Sequence, residues 1–305
     1  MRSLTSEQLA ELQQIFPWET ATPLRDGRIL GDAERRGCFI PSPDRRIDAL
    51  REQFGDRHGS ILELGPCEGY FTVQLAPLCE SLIAVEARPK NVVATLIRLY
   101  LHGLNNVDLQ LKDVREIDDD FGRFDVFYHA GVLYHLEDPV DHLFRVRHLS
   151  NQVYLETHFL ADDDPRFQRS DIHYRGKAYR AYVWQELNLD DVWAGMQSTS
   201  RILHVDALLE LLQDLGFAQI KIVSQVDLPF CPRVGLLTWR GTGPGQSWDQ
   251  ARQQVREAHV PARYSKSQEQ ALTGAQQLRS QSLLHRAKHW LTRQLSLRTV
   301  EKEES

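Results

Sequence analysis

Ile61-Leu62-Glu63-Leu64-Gly65-Pro66-Cys67-Glu68-Gly69-Tyr70-Phe71-Thr72 is the stretch on which the reading of the fold turns. ILEL reads as a short buried strand. A turn carrying two glycines follows, and a helix opens beyond it and runs through Leu78. Glycine at Gly65 and Gly69 leaves room for a ligand to lie against the backbone, where any Cβ would block it. The spacing is G-x-x-x-G, not the G-x-G-x-x-G that seats a pyrophosphate on a helix N-terminus.

Downstream of this turn the chain alternates between strand and helix. SLIAVE (81–86) is a strand, and PKNVVATLIRLYLHG (89–103) is a helix with a glycine stop. VDLQL (107–111), FDVFYHA (124–130) and QVYLET (152–157) are strands, with DPVDHLFRVRHLS (138–150) helical between the last two. Such a βαβαβ rhythm implies an α/β domain with a parallel sheet covered by helices on both faces. The rhythm breaks over about 158–201, a stretch dense in Asp, Tyr, His and Trp. Long excursions of this kind are lids or substrate loops. HVDALLELLQDLG (204–216) is again a helix, and FAQIKIVSQV (217–226) with RVGLLTWR (233–240) reads as a closing antiparallel hairpin. Upstream, Ser6 to Phe16 reads as a short amphipathic helix, 17–42 as an irregular wrap, and Pro43 to Phe54 as a second helix stopped by Gly55. The organisation expected is an N-terminal helical and irregular cap over 1–54, a ligand-binding domain over 55–241 with the 158–201 insertion, and a polar, partly helical tail over 242–305.

Composition excludes several classes. With 305 residues, 42% hydrophobic and 26% charged, the chain is that of a soluble globular protein able to bury a large core. A net charge of −6 gives no general attraction to nucleic acid or an anionic membrane. Cys38, Cys67, Cys79 and Cys231 stand apart without a CxxC pair, so neither a zinc ribbon nor a disulfide framework is indicated. No signal peptide is read in MRSLTSEQLAELQQIF and no run of eighteen apolar residues occurs, which makes a cytoplasmic location the expectation.

Three carboxylates mark the ligand. Glu63 lies two residues before the first glycine, where it would repel a pyrophosphate but suit a cationic amino group. Glu86 ends the second strand of the alternation, where an acid accepts hydrogen bonds from two ribose hydroxyls. Asp113 follows the third, positioned for an adenine amino group, with Val114 to cover the ring. With Gly65 and Gly69 they form a nucleoside-sized trail at the carboxyl ends of consecutive strands, where open α/β sheets bind ligands, and Cys67, Tyr70 and His129 are further candidate cofactor contacts. Taken singly, Glu86 can be a surface carboxylate and Asp113 a helix cap.

On ELGPCEGYFT, the acid of AVEARPKN, KDV and FDVFYHAGVLYHLEDPVDHL, the chain over about 55–241 resembles the class I (Rossmann-like) S-adenosylmethionine-dependent methyltransferases. The GVLYHLEDP form is similar to that of a bacterial subset containing tRNA wobble-uridine carboxymethyltransferases and glycan-associated enzymes. The resemblance implies a seven-stranded, mostly parallel sheet whose last strand is antiparallel, and S-adenosylmethionine as cofactor. Cys67 stands where many members have glycine. Arg233 stands where the carboxymethyltransferases place an arginine on a carboxylated cofactor. Their upstream lysine has no match in 17–55, which is lysine-free, so ordinary S-adenosylmethionine is expected.

Methyl transfer from a sulfonium needs positioning first, and a base only where the acceptor carries a proton. His158 and His129 end the two strands beside the trail and are the candidate bases; either can instead satisfy backbone groups in a crowded loop. Tyr134, His158, Tyr179 and Arg233 are the candidate substrate contacts, and His135 reads as structural. Asp162, Asp163 and Asp164 read as a solvated loop start rather than a metal site. The acceptor expected is a hydroxyl of a small molecule or glycan. A tRNA-modifying enzyme and a non-catalytic cofactor-binding subunit are the alternatives, and the acidic charge disfavours nucleic acid. The 276–298 segment, basic and with Leu283, Leu284, Ala287, Trp290, Leu291 and Leu295 on one helical face, can meet a membrane, a partner or its own domain.

Overall fold

The computed structural model describes residues 4–16, 18–31, 44–186, 189–226 and 231–258. The 276–298 segment and Cys38 lie outside the described residues. The chain divides into a unit ending at His259 and a second from Val260, and every described strand and helix belongs to the first.

The N-terminal region forms α1 (Ser6–Ile15), closed by a capping box between Thr5 and Gln8, and a minimal antiparallel pair, β1 (Thr22–Pro23) and β2 (Ile29–Leu30). After α2 (Arg45–Phe54) come β3 (His58–Leu64), α3 (Thr72–Leu75), β4 (Cys79–Glu86), α4 (Pro89–His102), β5 (Val107–Leu111) and β6 (Val126–Ala130). α5 (Pro139–Val146) and β7 (Gln152–Leu160) come next. The excursion contributes a hairpin of β8 (Ile172–Tyr174) and β9 (Lys177–Tyr179) and a second pair, β10 (Ala181–Gln185) and β11 (Thr199–His204). α6 (Val205–Asp214), β12 (Gln219–Val226), β13 (Arg233–Trp239) and α7 (Trp248–Ala258) complete the unit.

β5, β4, β3, β6 and β7 lie side by side and parallel. β13 runs antiparallel between β7 and β12, as the resemblance implies for the last strand. The sheet is larger than the seven strands implied: it has nine. The additional pair is β10 and β11, because the final two residues of β7 extend past β6 and β11 pairs with them, Leu203 opposite Phe159 and His204 opposite Leu160. The excursion is therefore partly sheet.

Alternation along the strands fixes two cores. Leu62, Leu64, Phe127, Val153 and Leu155 pack with α5, α6 and α7 on one face. Ile61, Tyr128 and Tyr154 pack with α2 and α3 on the other. Ala251 and Val255 of α7 are fully buried in the first core, so the unit continues past Gly241 and α7 packs on the domain. α4 ends where the sequence places its stop. Gly103 takes φ 61°, and its N–H closes on the carbonyls of Leu99 and Tyr100. Among the described residues no helix is long and apolar enough to cross a membrane.

Candidate functional site at the strand ends

The turn after β3 bends in the left-handed region three times, at Gly65 (φ 65°), Cys67 (54°) and Gly69 (80°). A Cβ on Gly65 would stand 2.4 Å from a methyl of Val132, and one on Gly69 would stand 2.9 Å from Thr95. Both glycines are thus required by conformation and by close approach. Cys67 takes the same conformation with a side chain, where glycine would adopt it without a Cβ penalty.

Glu86, buried at the end of β4, accepts the Cys67 N–H at 3.0 Å and the Arg88 N–H at 2.9 Å. Burial raises its carboxyl pKa, and these two N–H bonds oppose the rise. Glu63 is 1% exposed, and its Oε2 has no hydrogen-bond partner among the described residues. Burial, with the neighbouring Glu86, pushes its carboxyl up to about 8 against the hydroxyl of Thr72. An unmatched buried carboxylate oxygen is costly, and a ligand ammonium would satisfy it. The cradle therefore fits S-adenosylmethionine. Glu63 would hold the amino end, Gly65 and Gly69 would leave space along the chain, and Glu86 would take the ribose.

At the adenine end, Asp113 and Val114 follow β5. Asp113 caps its own turn through the Arg115 N–H at 2.9 Å and forks to the Arg115 guanidinium at 2.9 and 2.7 Å. Its Oδ1 accepts two of these bonds and its Oδ2 one, so Asp113, like Glu86, keeps acceptor capacity for a further donor. Val114 is buried in the core. Tyr70 turns its hydroxyl toward Asp44, at 3.4 Å, and sets its ring edge-on to Phe71.

His129 is a correction. It points into the α5 side of the sheet, is wholly buried, and meets His142 Nε2 to Nε2 at 3.0 Å. Burial lowers its pKa to about 4. Its side chain faces core on the opposite side of the strand from Tyr128, so it neither receives an acceptor proton nor lines the cradle. Tyr179 is a second correction. Its ring is 2% exposed and its hydroxyl donates to Asp214 at the C-terminal end of α6, at 2.7 Å. It fastens the β8–β9 hairpin to that helix and makes no substrate surface.

His158, Tyr134 and Arg233 do come together. The His158 ring stands edge-on to Tyr134 with centroids 4.3 Å apart, and Arg233 is its partner in the β7–β13 register. His158 Nδ1 lies 3.0 and 3.2 Å from the carbonyl oxygens of Cys231 and Pro232. Carbonyls only accept, so Nδ1 carries the proton and Nε2 is the basic nitrogen. Burial, then the Arg233 charge, lowers this imidazole to about 4. It is neutral at pH 7.

Glu156 completes the cluster. Tyr154, Glu156 and His158 share one face of β7, a period-two pattern that could have been read in VYLETH. Arg46 Nη1 reaches Glu156 at 3.2 Å and Arg233 Nη1 lies 3.5 Å away, while Asp44 holds the Arg46 fork at 2.8 Å. Arg46 lies 110 residues from Glu156, and no local pattern announces their contact. His135 Nδ1 meets Glu186 at 2.5 Å. Across the cradle, Arg88 Nη2 donates to the carbonyls of Ala194 and Gly195 at 3.0 and 2.9 Å, which fastens part of the excursion to the end of β4. Asp163 accepts from Tyr182 at 2.5 Å and Asp164 pairs with Arg166. Among the described residues no group of three His, Cys, Asp or Glu could hold a metal ion.

The profile of one family, described as nodulation protein S (NodS), matches residues 44–162. Nodulation protein S of Bradyrhizobium diazoefficiens is 34% identical over 94 residues, covering 31% of this chain and 44% of that protein. The match thus spans less than half of the curated relative. The crystal structure of the N-terminal domain of EvdMO1 with SAH bound has a TM-score of 0.64 at 25% identity, covering 78% of this chain and 98% of that one. The same domain in the presence of SAH and D-fucose gives 0.60 at 25% identity, covering 76% and 95%.

Proposed function

We propose that this chain, a class I S-adenosylmethionine-dependent methyltransferase by its fold and strand-end cradle, transfers a methyl group to a hydroxyl of a small molecule or glycan. The observation that carries the hydroxyl reading is His158. Its Nδ1–H is fixed by two backbone carbonyls, its Nε2 is the acceptor nitrogen, and it stands at the end of β7 beside Tyr134, Glu156 and Arg233. Bound S-adenosylmethionine supplies an electrophilic methyl group on sulfur. With the cofactor held by Glu63 and Glu86, His158 Nε2 would accept the proton that the acceptor hydroxyl gives up on methylation.

The polar frame suits a neutral polyol. Arg46 and Arg233 are matched by Asp44 and Glu156, so guanidinium donors and carboxylate acceptors stand together with no net charge to attract an anion. The same pairing favours ordinary S-adenosylmethionine over a carboxylated form, since Arg233 already faces a carboxylate. The neighbour crystallised in the presence of SAH and D-fucose supports a sugar acceptor.

The test is an acceptor screen. The protein is incubated with S-adenosylmethionine and, separately, D-fucose, other deoxysugars, glycosides, phenols, amines and tRNA. Release of S-adenosylhomocysteine and the mass of each acceptor are followed. Turnover on a sugar or other hydroxyl compound is expected. Turnover confined to amines or tRNA would overturn the reading.

A further inference from the structure

Behind the cofactor turn lies a second set of buried contacts that the strand-end trail does not use. Glu68 sits between Cys67 and Gly69 but points away from the cradle and is 4% exposed. Its carboxylate accepts the N–H of Glu19 at 3.0 Å, and the N–H and hydroxyl of Thr20, each at 3.0 Å. It also meets Arg98 Nη2 at 3.3 Å. Arg98, on α4 and fully buried, donates to the Thr20 carbonyl at 2.7 Å and lies over the Trp18 ring at 5.0 Å. One turn earlier on α4, the Thr95 hydroxyl donates to the Cys67 carbonyl at 3.0 Å.

The turn is therefore gripped on both sides, by Glu86 in front and by Trp18–Thr20 with α4 behind. A grip is needed because Cys67 holds a left-handed conformation that residues with a Cβ disfavour. Freed from it, the turn would spend time in other conformations, and a ligand's apparent affinity falls with the fraction of competent protein.

We propose that Glu68 and Arg98 are positioning residues for the cofactor, coupling the docked Trp18–Thr20 segment to the left-handed turn at Cys67. The N-terminal segment then sets cofactor affinity without touching the cofactor. The inference rests on the cradle binding S-adenosylmethionine or its product, and it is independent of the acceptor.

The test is S-adenosylhomocysteine binding by titration calorimetry on full-length variants, with circular dichroism to confirm folding at the assay temperature. Glu68→Gln keeps the shape but turns an amide against the Glu19 and Thr20 donors, and Thr20→Val removes one bond only. Glu68→Gln is expected to raise Kd about tenfold, as a competent fraction near one tenth requires, and Thr20→Val by a few-fold. Adding Cys67→Gly to Glu68→Gln is expected to recover most of the loss, because glycine accepts the left-handed conformation unaided. Parent affinity in a folded Glu68→Gln variant, or a loss that Cys67→Gly leaves untouched, would overturn the proposal. If Glu68→Gln does not fold, Thr20→Val decides, and parent affinity there overturns it. A parent chain that binds no S-adenosylhomocysteine would overturn the cofactor reading itself, and the coupling with it.

Discussion

Glu86 accepts the backbone N–H of Cys67 at 3.0 Å, so the carboxylate that would take the ribose also fastens the glycine-bearing turn after β3. One residue would thus do two jobs, and its removal should be felt twice. Glu86→Ala should weaken S-adenosylmethionine and S-adenosylhomocysteine alike by about ten- to a hundred-fold, roughly 1.5–3 kcal/mol for a charged acceptor lost. Titration calorimetry on the folded variant measures it, and a change under threefold would remove Glu86 from the site.

Glu63 should make cofactor binding pH-dependent. Its carboxyl is pushed up to about 8, so it is protonated in the free protein at pH 7. An ammonium brought against it favours the ionised form, and binding releases that proton. Affinity for S-adenosylhomocysteine should therefore rise with pH, by up to about tenfold per unit below pH 8, and level off above. Calorimetry in buffers of different ionisation enthalpy should register about one proton released near pH 7. A flat profile in the parent, or one that Glu63→Gln leaves unchanged, would contradict this.

His158 should act on turnover and not on cofactor binding. Once an acceptor is found, His158→Ala should lower kcat by about 10²–10⁴-fold while the Kd for S-adenosylhomocysteine stays near the parent's. With the imidazole held at about 4, the parent rate should show no histidine limb across the neutral range; that limb lies in acid. His129→Asn should report on folding alone. Parent-like kcat in His158→Ala would transfer the role of base elsewhere, with His135 and its Glu186 partner next in line.

The buried pair His129 and His142 links stability to pH. Burial lowers His129 to about 4, and burial together with the neighbouring His129 holds His142 well below the 6.5 of free imidazole. Above about pH 6.5 both states are neutral and stability is full. As pH falls from there toward 4 the unfolded chain takes up protons that the folded chain refuses, so stability is lost progressively. Thermal melts should show the midpoint dropping over this window. His142→Phe should flatten part of the drop, and an equal slope in that variant would show that other groups carry it.

Much of this protein was legible in its sequence because the relevant signals are local. Period-two and period-three-to-four patterning marked the strand–helix alternation from β3 to β7, and the antiparallel closing hairpin followed from two adjacent apolar runs. The placement of Gly65, Glu86 and Glu63 at strand ends was legible too, since a parallel sheet brings those ends to one edge. What the sequence could not decide is which way a strand-end residue faces and what meets it from far along the chain. His129 and His158 close neighbouring strands and look alike in sequence. Tertiary packing turns the first into the core against His142 and the second toward Tyr134 and Arg233. Tyr179, an aromatic in a polar excursion, was claimed by Asp214 on α6. Arg46 with Glu156, and Glu68 with Thr20, are contacts across 110 and 48 residues. Such pairs form because a buried charge must find its opposite or a donor once the chain has folded. That requirement belongs to the interior as a whole, and no stretch of sequence states it.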